Sequence, residues 1–170
     1  GVDANTGSLG QGIAIAMGMA LAAKHAKKDY RVFTLVGDGE CQEGLVWEAA
    51  MSAAHYKLDN FTVIMDHNRL QIDGDNDDVM SLGDIMGKFA AFGFDTYKVD
   101  GHDIDAVTAA LKEPFTPGRP KFVCCETVKG KGVSFMENDP GWHGKAPNDE
   151  ETERALGELA EARAELNGVK

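Results

Sequence analysis

The sequence predicts an α/β fold, a mainly parallel sheet with helices on both faces, formed by one domain across residues 1–170. Three observations carry that prediction. Four short apolar runs alternate with stretches of helical character, the spacing that parallel strands with crossover helices require. The runs are rich in apolar and β-branched residues, as strands buried on both faces must be. The first two runs stop abruptly at Gly37-Asp38-Gly39 and Asp66-His67-Asn68, so each delivers a polar loop to the same edge of the sheet.

Residues 9–28 read as a helix packed on all sides, because Ile13, Ala16, Met17, Ala20 and Leu21 recur at helical spacing. Residues 30–36 read as a buried parallel strand, 43–56 as a helix and 61–65 as a second buried strand. A helix over 82–92, a strand over 94–99 and a helix over 104–112 follow. The proline-rich stretch 114–120 is a stiff surface loop feeding a fourth strand over 121–128. From residue 148 to 170 the chain turns acidic and helical, with Leu156, Leu159 and Leu166 along one face. Such a helix lies on its own domain or docks another chain.

A chain of 170 residues with 43% hydrophobic content can bury a core, which excludes intrinsic disorder. A net charge of −11 argues against nucleic acid as the partner. It also means that any anionic ligand needs local cations, for which Lys129, Lys131 and His143 are the candidates. Cys124 and Cys125 sit together in an apolar strand and read as reduced core residues, so a cytoplasmic location is expected. No run reaches membrane-spanning length and no signal peptide opens the chain, so no membrane association is expected.

Asp38 and Asn68 bring a carboxylate and a side-chain amide to one crevice. Oxygen donors of this kind suit Mg²⁺, which keeps several waters and recruits phosphate oxygens to complete its octahedron. Gly39 lets the backbone approach an anion, and the helix start behind it adds a favourable dipole. The chemistry these residues suit is a metal-bridged diphosphate. Each residue alone could equally be a turn-stabilising Asx residue.

Five motifs in order extend the reading: Thr6-Gly7-Ser8-Leu9-Gly10-Gln11-Gly12, Gly37-Asp38-Gly39-Glu40-Cys41-Gln42-Glu43-Gly44, Asp66-His67-Asn68-Arg69-Leu70-Gln71-Ile72-Asp73-Gly74, Lys129-Gly130-Lys131-Gly132 and Trp142-His143-Gly144-Lys145. Together they resemble the thiamine-diphosphate enzymes, and transketolases above all, over residues 1–158. The wording of residues 128–138 is most similar to the N-terminal subunit of transketolases divided into two polypeptides. The resemblance implies the diphosphate-binding fold, thiamine diphosphate as cofactor and Mg²⁺ as metal, with Ca²⁺ or Mn²⁺ as substitutes. It implies that Asp38, Asn68 and the main-chain oxygen of Leu70 hold the metal. Gly39 and Glu40 would meet the diphosphate, and Gly7, Ser8 and Leu9 would lie against the cofactor, although Ser8 also suits a helix N-cap.

Lys129 leaves the fourth strand at the same edge, where a cation can meet phosphate, though lysines are commonly just exposed. His143 matches the family histidine that reaches the diphosphate and the reacting sugar. The resemblance sets Glu43 and Glu48 at acidic positions in the contact between paired domains, where carboxylates can share protons across the interface and Glu43 would take a catalytic part; otherwise they simply favour a helix start. His67 is a supporting or surface group, and His25, His55 and His102 carry no comparable signal.

The implied activity is transfer of a two-carbon ketol group from a ketose phosphate to an aldose phosphate. The family's longer N-terminal region has no counterpart here, and Gly1 opens the text partway through the family pattern. Nor does the pyrimidine-binding domain, whose glutamate activates the cofactor. The expected partner is therefore that domain or a C-terminal transketolase subunit, in a homo- or hetero-oligomer. The alternatives are a deoxyxylulose-phosphate synthase and a non-catalytic cofactor-binding or regulatory subunit. Residues 7–12 favour transketolase over the first, and Lys129 and His143 weigh against the second.

Overall fold

The computed structural model describes residues 1–168. In chain order the elements are α1 (Gln11–His25), β1 (Val32–Gly37), a 3-10 turn (Gly39–Gln42), α2 (Gly44–His55), β2 (Phe61–His67), β3 (Leu70–Gln71) and β4 (Gly74–Asp75). There follow α3 (Asn76–Met80), α4 (Ile85–Phe92), β5 (Asp95–Asp100), α5 (Ile104–Lys112), β6 (Lys121–Glu126), a second 3-10 turn (Pro140–Trp142) and α6 (Asp149–Gly168). Residues 169–170, the end of the expected acidic helix, lie outside the described residues.

Four strands form one parallel sheet in the order β1-β2-β6-β5, with β3 and β4 a separate antiparallel pair. The helices cover both faces, as the alternation of elements predicts. Against one face α1, α2 and α4 bury Ile13, Val46 and Phe89 on Val36, Phe61, Met65 and Phe122. Phe89 stacks on Phe122 with ring centroids 3.9 Å apart, which fixes α4 over the sheet centre. On the other face α5 packs Val107, Ala110 and Leu111 against Val123, Cys125, Tyr97 and Val99. Its last carbonyls are capped from below by Lys121, a fully buried lysine that donates to Ala110 O (3.4 Å) and Glu113 O.

Several local expectations shift. β1 is an edge strand rather than one buried on both sides: Val32, Thr34 and Val36 face the core, while Phe33 and Leu35 are exposed because α5 reaches only the β5–β6 half of that face. β6 stops at Glu126, so Thr127 and Val128 belong to the loop beyond it. The helix behind Gly39 is a 3-10 turn, with Asp38 accepting from Gly39 N as its cap, and the α-helix starts only at Gly44. The hairpin β3–β4 and the short α3 stand where no element was expected. Helix α4 starts at Ile85, later than residue 82, because Asp84 caps it through Gly87 N. None of the described helices is long and apolar enough to cross a membrane.

Candidate metal centre

The register of β1 on β2 sets Gly37 opposite Asp66, and Asp38 N donates to Asp66 O at 3.2 Å. Asp38 and Asn68 therefore occupy neighbouring strand ends. Asp38 is only 2% exposed, and its carboxylate accepts from Gly39 N at 2.7 Å and from Arg69 N. No cationic side chain among the described residues pairs with it. A buried carboxylate held by two neutral N–H groups has its charge uncompensated and lone pairs to spare, a state that a cation relieves. Half-buried Asn68 turns its Oδ1 to Leu70 N (3.0 Å) and donates from Nδ2 to Asp66 Oδ2 (3.2 Å).

Between them Arg69 adopts φ 65, the left-handed region that costs an L-residue roughly 1–2 kcal/mol. That conformation turns two successive N–H groups back, one to Asp38 and one to Asn68. Its guanidinium points away, to Glu126. The donor set is oxygen only, acidic and amide together, and it fits a hard divalent cation. Beside it Asn76 is 5% exposed, and neither its side-chain oxygen nor its nitrogen has a partner within the described protein. Gly39 faces that amide: a Cβ built on it would lie 3.6 Å from Asn76 Oδ1 and 3.2 Å from Gln71 Cβ. The region under the Gly39 loop is thus closely packed and carries unused hydrogen-bonding capacity.

Across the sheet edge Thr127 donates to Asp66 Oδ1, joining the end of β2 to the loop after β6. A cavity of about 620 Å³ opens there, lined by Asp66, Asn68, His102, Thr127 and Lys129 among others. Lys129 is half-buried and has no ion-pair partner among the described residues, so its ammonium is available to an anion. Gly130 allows the chain to turn here: at φ 74, a Cβ on it would run into the carbonyl of Met136. Lys131 pairs instead with Glu137 at 3.5 Å. His143 lies farther along, exposed, at the end of the second 3-10 turn, and is not among the residues lining this cavity. The structure thus brings Asp38, Asn68 and Lys129 to one edge and leaves His143 on a solvent-facing segment.

Glu40 is a brace: its Oε1 accepts from Gly10 N (2.8 Å) and its Oε2 from Gly37 N (3.1 Å), so both oxygens already tie the loop before α1 to the end of β1. Gly7, Ser8 and Leu9 form that loop and are exposed. Ser8 does not cap the helix; Gly10 does, at φ 80, with no side-chain cap bond. Glu43 precedes α2, exposed and with no side-chain cap bond, and its Cβ crowds against Gly10. Leu70 opens β3, opposite Asp75.

Sequence reading missed Asp66, Thr127, His102 and Glu126. His102 accepts from Val128 N at 2.8 Å and so anchors the loop that carries Lys129. Glu126 meets His67 Nδ1 at 2.6 Å, Arg69 at 2.9 Å and Lys98 at 3.1 Å. Burial opposes its ionisation, yet the hydrogen bonds and charges of His67 and Lys98 prevail and hold its pKa down to about 2. Burial and the Glu126 charge push the Cys124 thiol up to about 12, and burial also raises Cys41 and Cys125. Cys124, His67 and Glu126 present ligand atoms within 4.8 Å of one another, but a protonated thiol and a carboxylate already neutralised by cations do not make a metal site. Position at a strand end was the one available signal for Asp66, Thr127 and Glu126.

Comparison with known proteins bears on the family and the fold. The family model described as transketolase, thiamine diphosphate binding domain, matches residues 1–162. One of the subunits of an apulose-4-phosphate transketolase, from Phocaeicola vulgatus, is 42% identical over 162 residues, covering 95% of this chain and 58% of that protein. The 6-deoxy-6-sulfo-D-fructose transketolase subunit SqwG of a Clostridium species is 38% identical over 160 residues, covering 94% and 58%. In the crystal structure of transketolase from Campylobacter jejuni the match has a TM-score of 0.86 at 33% identity, over 91% of this chain and 26% of that one. The chain spans less than two thirds of the length of these relatives.

Proposed function

The chain belongs to the transketolase family through its thiamine diphosphate-binding domain, and from that premise we propose that it anchors the cofactor of an enzyme transferring a two-carbon ketol group from a ketose phosphate to an aldose phosphate. The observation that carries this reading is the buried Asp38 carboxylate, unpaired by any described cation, beside Asn68. These two, with the main-chain oxygen of Leu70, would hold Mg²⁺, or Ca²⁺ or Mn²⁺ in its place. Asp38 would hold the cation, and Gly39, whose N–H now donates to Asp38 Oδ1, would offer its backbone to the diphosphate. Lys129 adds positive charge from the β6 side, and His143 would supply a hydrogen bond to phosphate or reacting oxygens. Gly7, Ser8 and Leu9 would lie against the cofactor, next to Gly10, which Glu40 ties to the end of β1. When bound, thiamine diphosphate supplies the carbanion chemistry; the protein's share is to hold, orient and keep water away.

Activating the aminopyrimidine takes a carboxylate, and we assign it to a partner chain carrying a pyrimidine-binding domain. Exposed Glu43 at the start of α2, with Leu9 (58% exposed) and Met51 (57%) on the flanking elements, suits a surface that such a partner covers. Sugar phosphates are the substrate class; the sugars in the relatives' names belong to those proteins. Three buried free cysteines suit a reducing compartment, so we place the protein in the cytoplasm. The test is calorimetric titration of thiamine diphosphate with Mg²⁺, with and without the partner chain, followed by sugar-phosphate turnover. Cofactor binding that needs Mg²⁺, and turnover that needs the partner, are the expected results. Turnover by a strictly monomeric sample of this chain would overturn the reading.

A further inference from the structure

Asn68 stands between two residues tied to the same carboxylate. His67 Nδ1 lies 2.6 Å from Glu126 Oε1, and the Arg69 guanidinium donates to Glu126 Oε2 at 2.9 Å. Lys98, from β5, approaches Oε1 at 3.1 Å and fixes the carboxylate from the far side. One acid at the end of β6 therefore grips the chain on both sides of Asn68. Arg69 needs such a grip. At φ 65 it occupies a region that arginine leaves readily unless the surroundings hold it. Its N–H is held by Asp38, its carbonyl accepts from Asn76 N at 2.9 Å, and its side chain is held by Glu126. Glu126 is the member of this set that also holds His67.

We propose that Glu126 is a positioning residue for the metal centre: by fastening His67 and Arg69 together it keeps the 67–70 turn in the form that sets Asn68 beside Asp38. The proposal rests on the reading of Asp38 and Asn68 as metal ligands. Glu126 is not itself a ligand, since its two oxygens are occupied by three basic side chains. An ion-pair cluster with only a general structural role would act on stability alone, and a half-exposed one would act weakly. A clamp on the turn acts on cofactor affinity instead.

The test is calorimetric titration of the full chain with thiamine diphosphate at fixed Mg²⁺, together with the thermal midpoint before loading. Glu126→Gln keeps the side-chain volume, offers an amide N–H where one base now binds, and should weaken binding about 10-fold or more. Adding Arg69→Gly to that variant should recover most of the loss, because glycine takes φ 65 without being held there. Unchanged affinity in Glu126→Gln overturns the proposal. So does a loss that Arg69→Gly leaves in place while the unloaded thermal midpoint falls, which makes Glu126 a general stabiliser. Asp38→Ala, run alongside, separates the two levels: if it too keeps its affinity, the ligand assignment fails and the clamp with it. If it loses affinity while Glu126→Gln does not, the clamp alone is wrong.

Discussion

At the ends of β1 and β2, Asp38 is 2% exposed and its loop is cross-tied to Asp66, Arg69 and Glu40, whereas the arm leaving β6 carries a half-buried Lys129 and a solvent-facing His143. The first arm is held by the sheet itself. The second is held by turns and surface contacts: Asn138 N on Lys129 O, Trp142 Nε1 on Phe135 O, and Ser134 on Glu158 of α6. α6 has no buried residue, and Leu156 and Leu166 on it are exposed. The difference teaches which part of the site is ready before any ligand arrives. The sheet itself fixes Asp38 and Asn68, while Lys129 and His143 sit on a segment held only by turns and surface contacts.

The sharpest way to break this contrast is to compare substitutions on the two arms. Asp38→Ala should lower Mg²⁺-dependent cofactor affinity by more than about 100-fold, beyond what removing a merely supporting group costs. Asn68→Ala should cost less, because it removes a neutral ligand. Calorimetry on correctly folded proteins measures both, and a loss no larger than that of a loop-arm variant would erase the distinction.

On the loop arm, Lys129→Ala should weaken cofactor binding about 10-fold, the scale of one hydrogen bond between charged groups. His143→Ala should lower kcat by a similar factor of about 10 and leave Mg²⁺ affinity nearly unchanged. Steady-state kinetics of the assembled enzyme checks both. A wild-type kcat with weakened Mg²⁺ binding in His143→Ala would move that residue to the other arm.

The smallest effect is one of pH. Glu126 has its pKa lowered in the folded protein, from 4.5 to about 2, so its contribution is fully present above pH 4.5 and is lost as pH falls through the interval down to about 2. Acid titration of the thermal midpoint should show this loss in the wild type and a flatter slope in Glu126→Gln. Equal slopes would mean that the strand-end arm draws no stability from the charge.

Asp38 and Asn68 were legible because a parallel strand that stops at a polar loop advertises its edge. The clamp was not: Glu126 lies 59 residues from His67 and 57 from Arg69, and local periodicity carries no information over such separations. The edge position of β1 was hidden for a related reason, since Phe33 and Leu35 are as apolar as a central strand's residues and only the helix placement exposes them. The hairpin β3–β4 escaped because its strands, Leu70–Gln71 and Gly74–Asp75, are two residues each, too short to show an alternating pattern. Ser8 was a plausible cap by residue type, but Gly10 took that place through its left-handed backbone. Both Glu40 oxygens went to backbone donors that no pattern in sequence specifies.

The strand order β1-β2-β6-β5 also sets a timetable. β1 and β2 can pair once residue 67 has been made, but β2 gains its second neighbour only when β6, ending at Glu126, has been synthesised. Until then the turn bearing Asn68 has neither its Glu126 anchor nor the Thr127 bond to Asp66. Long-range parallel pairing is slow, because a large loop must close before its contacts form. During synthesis the turn bearing Asn68 is therefore finished late, and a half-made chain exposes the bare flank of β2. Refolding should show an early phase confined to the β1–β2 half and a slower one when β6 inserts, with cofactor binding following the second.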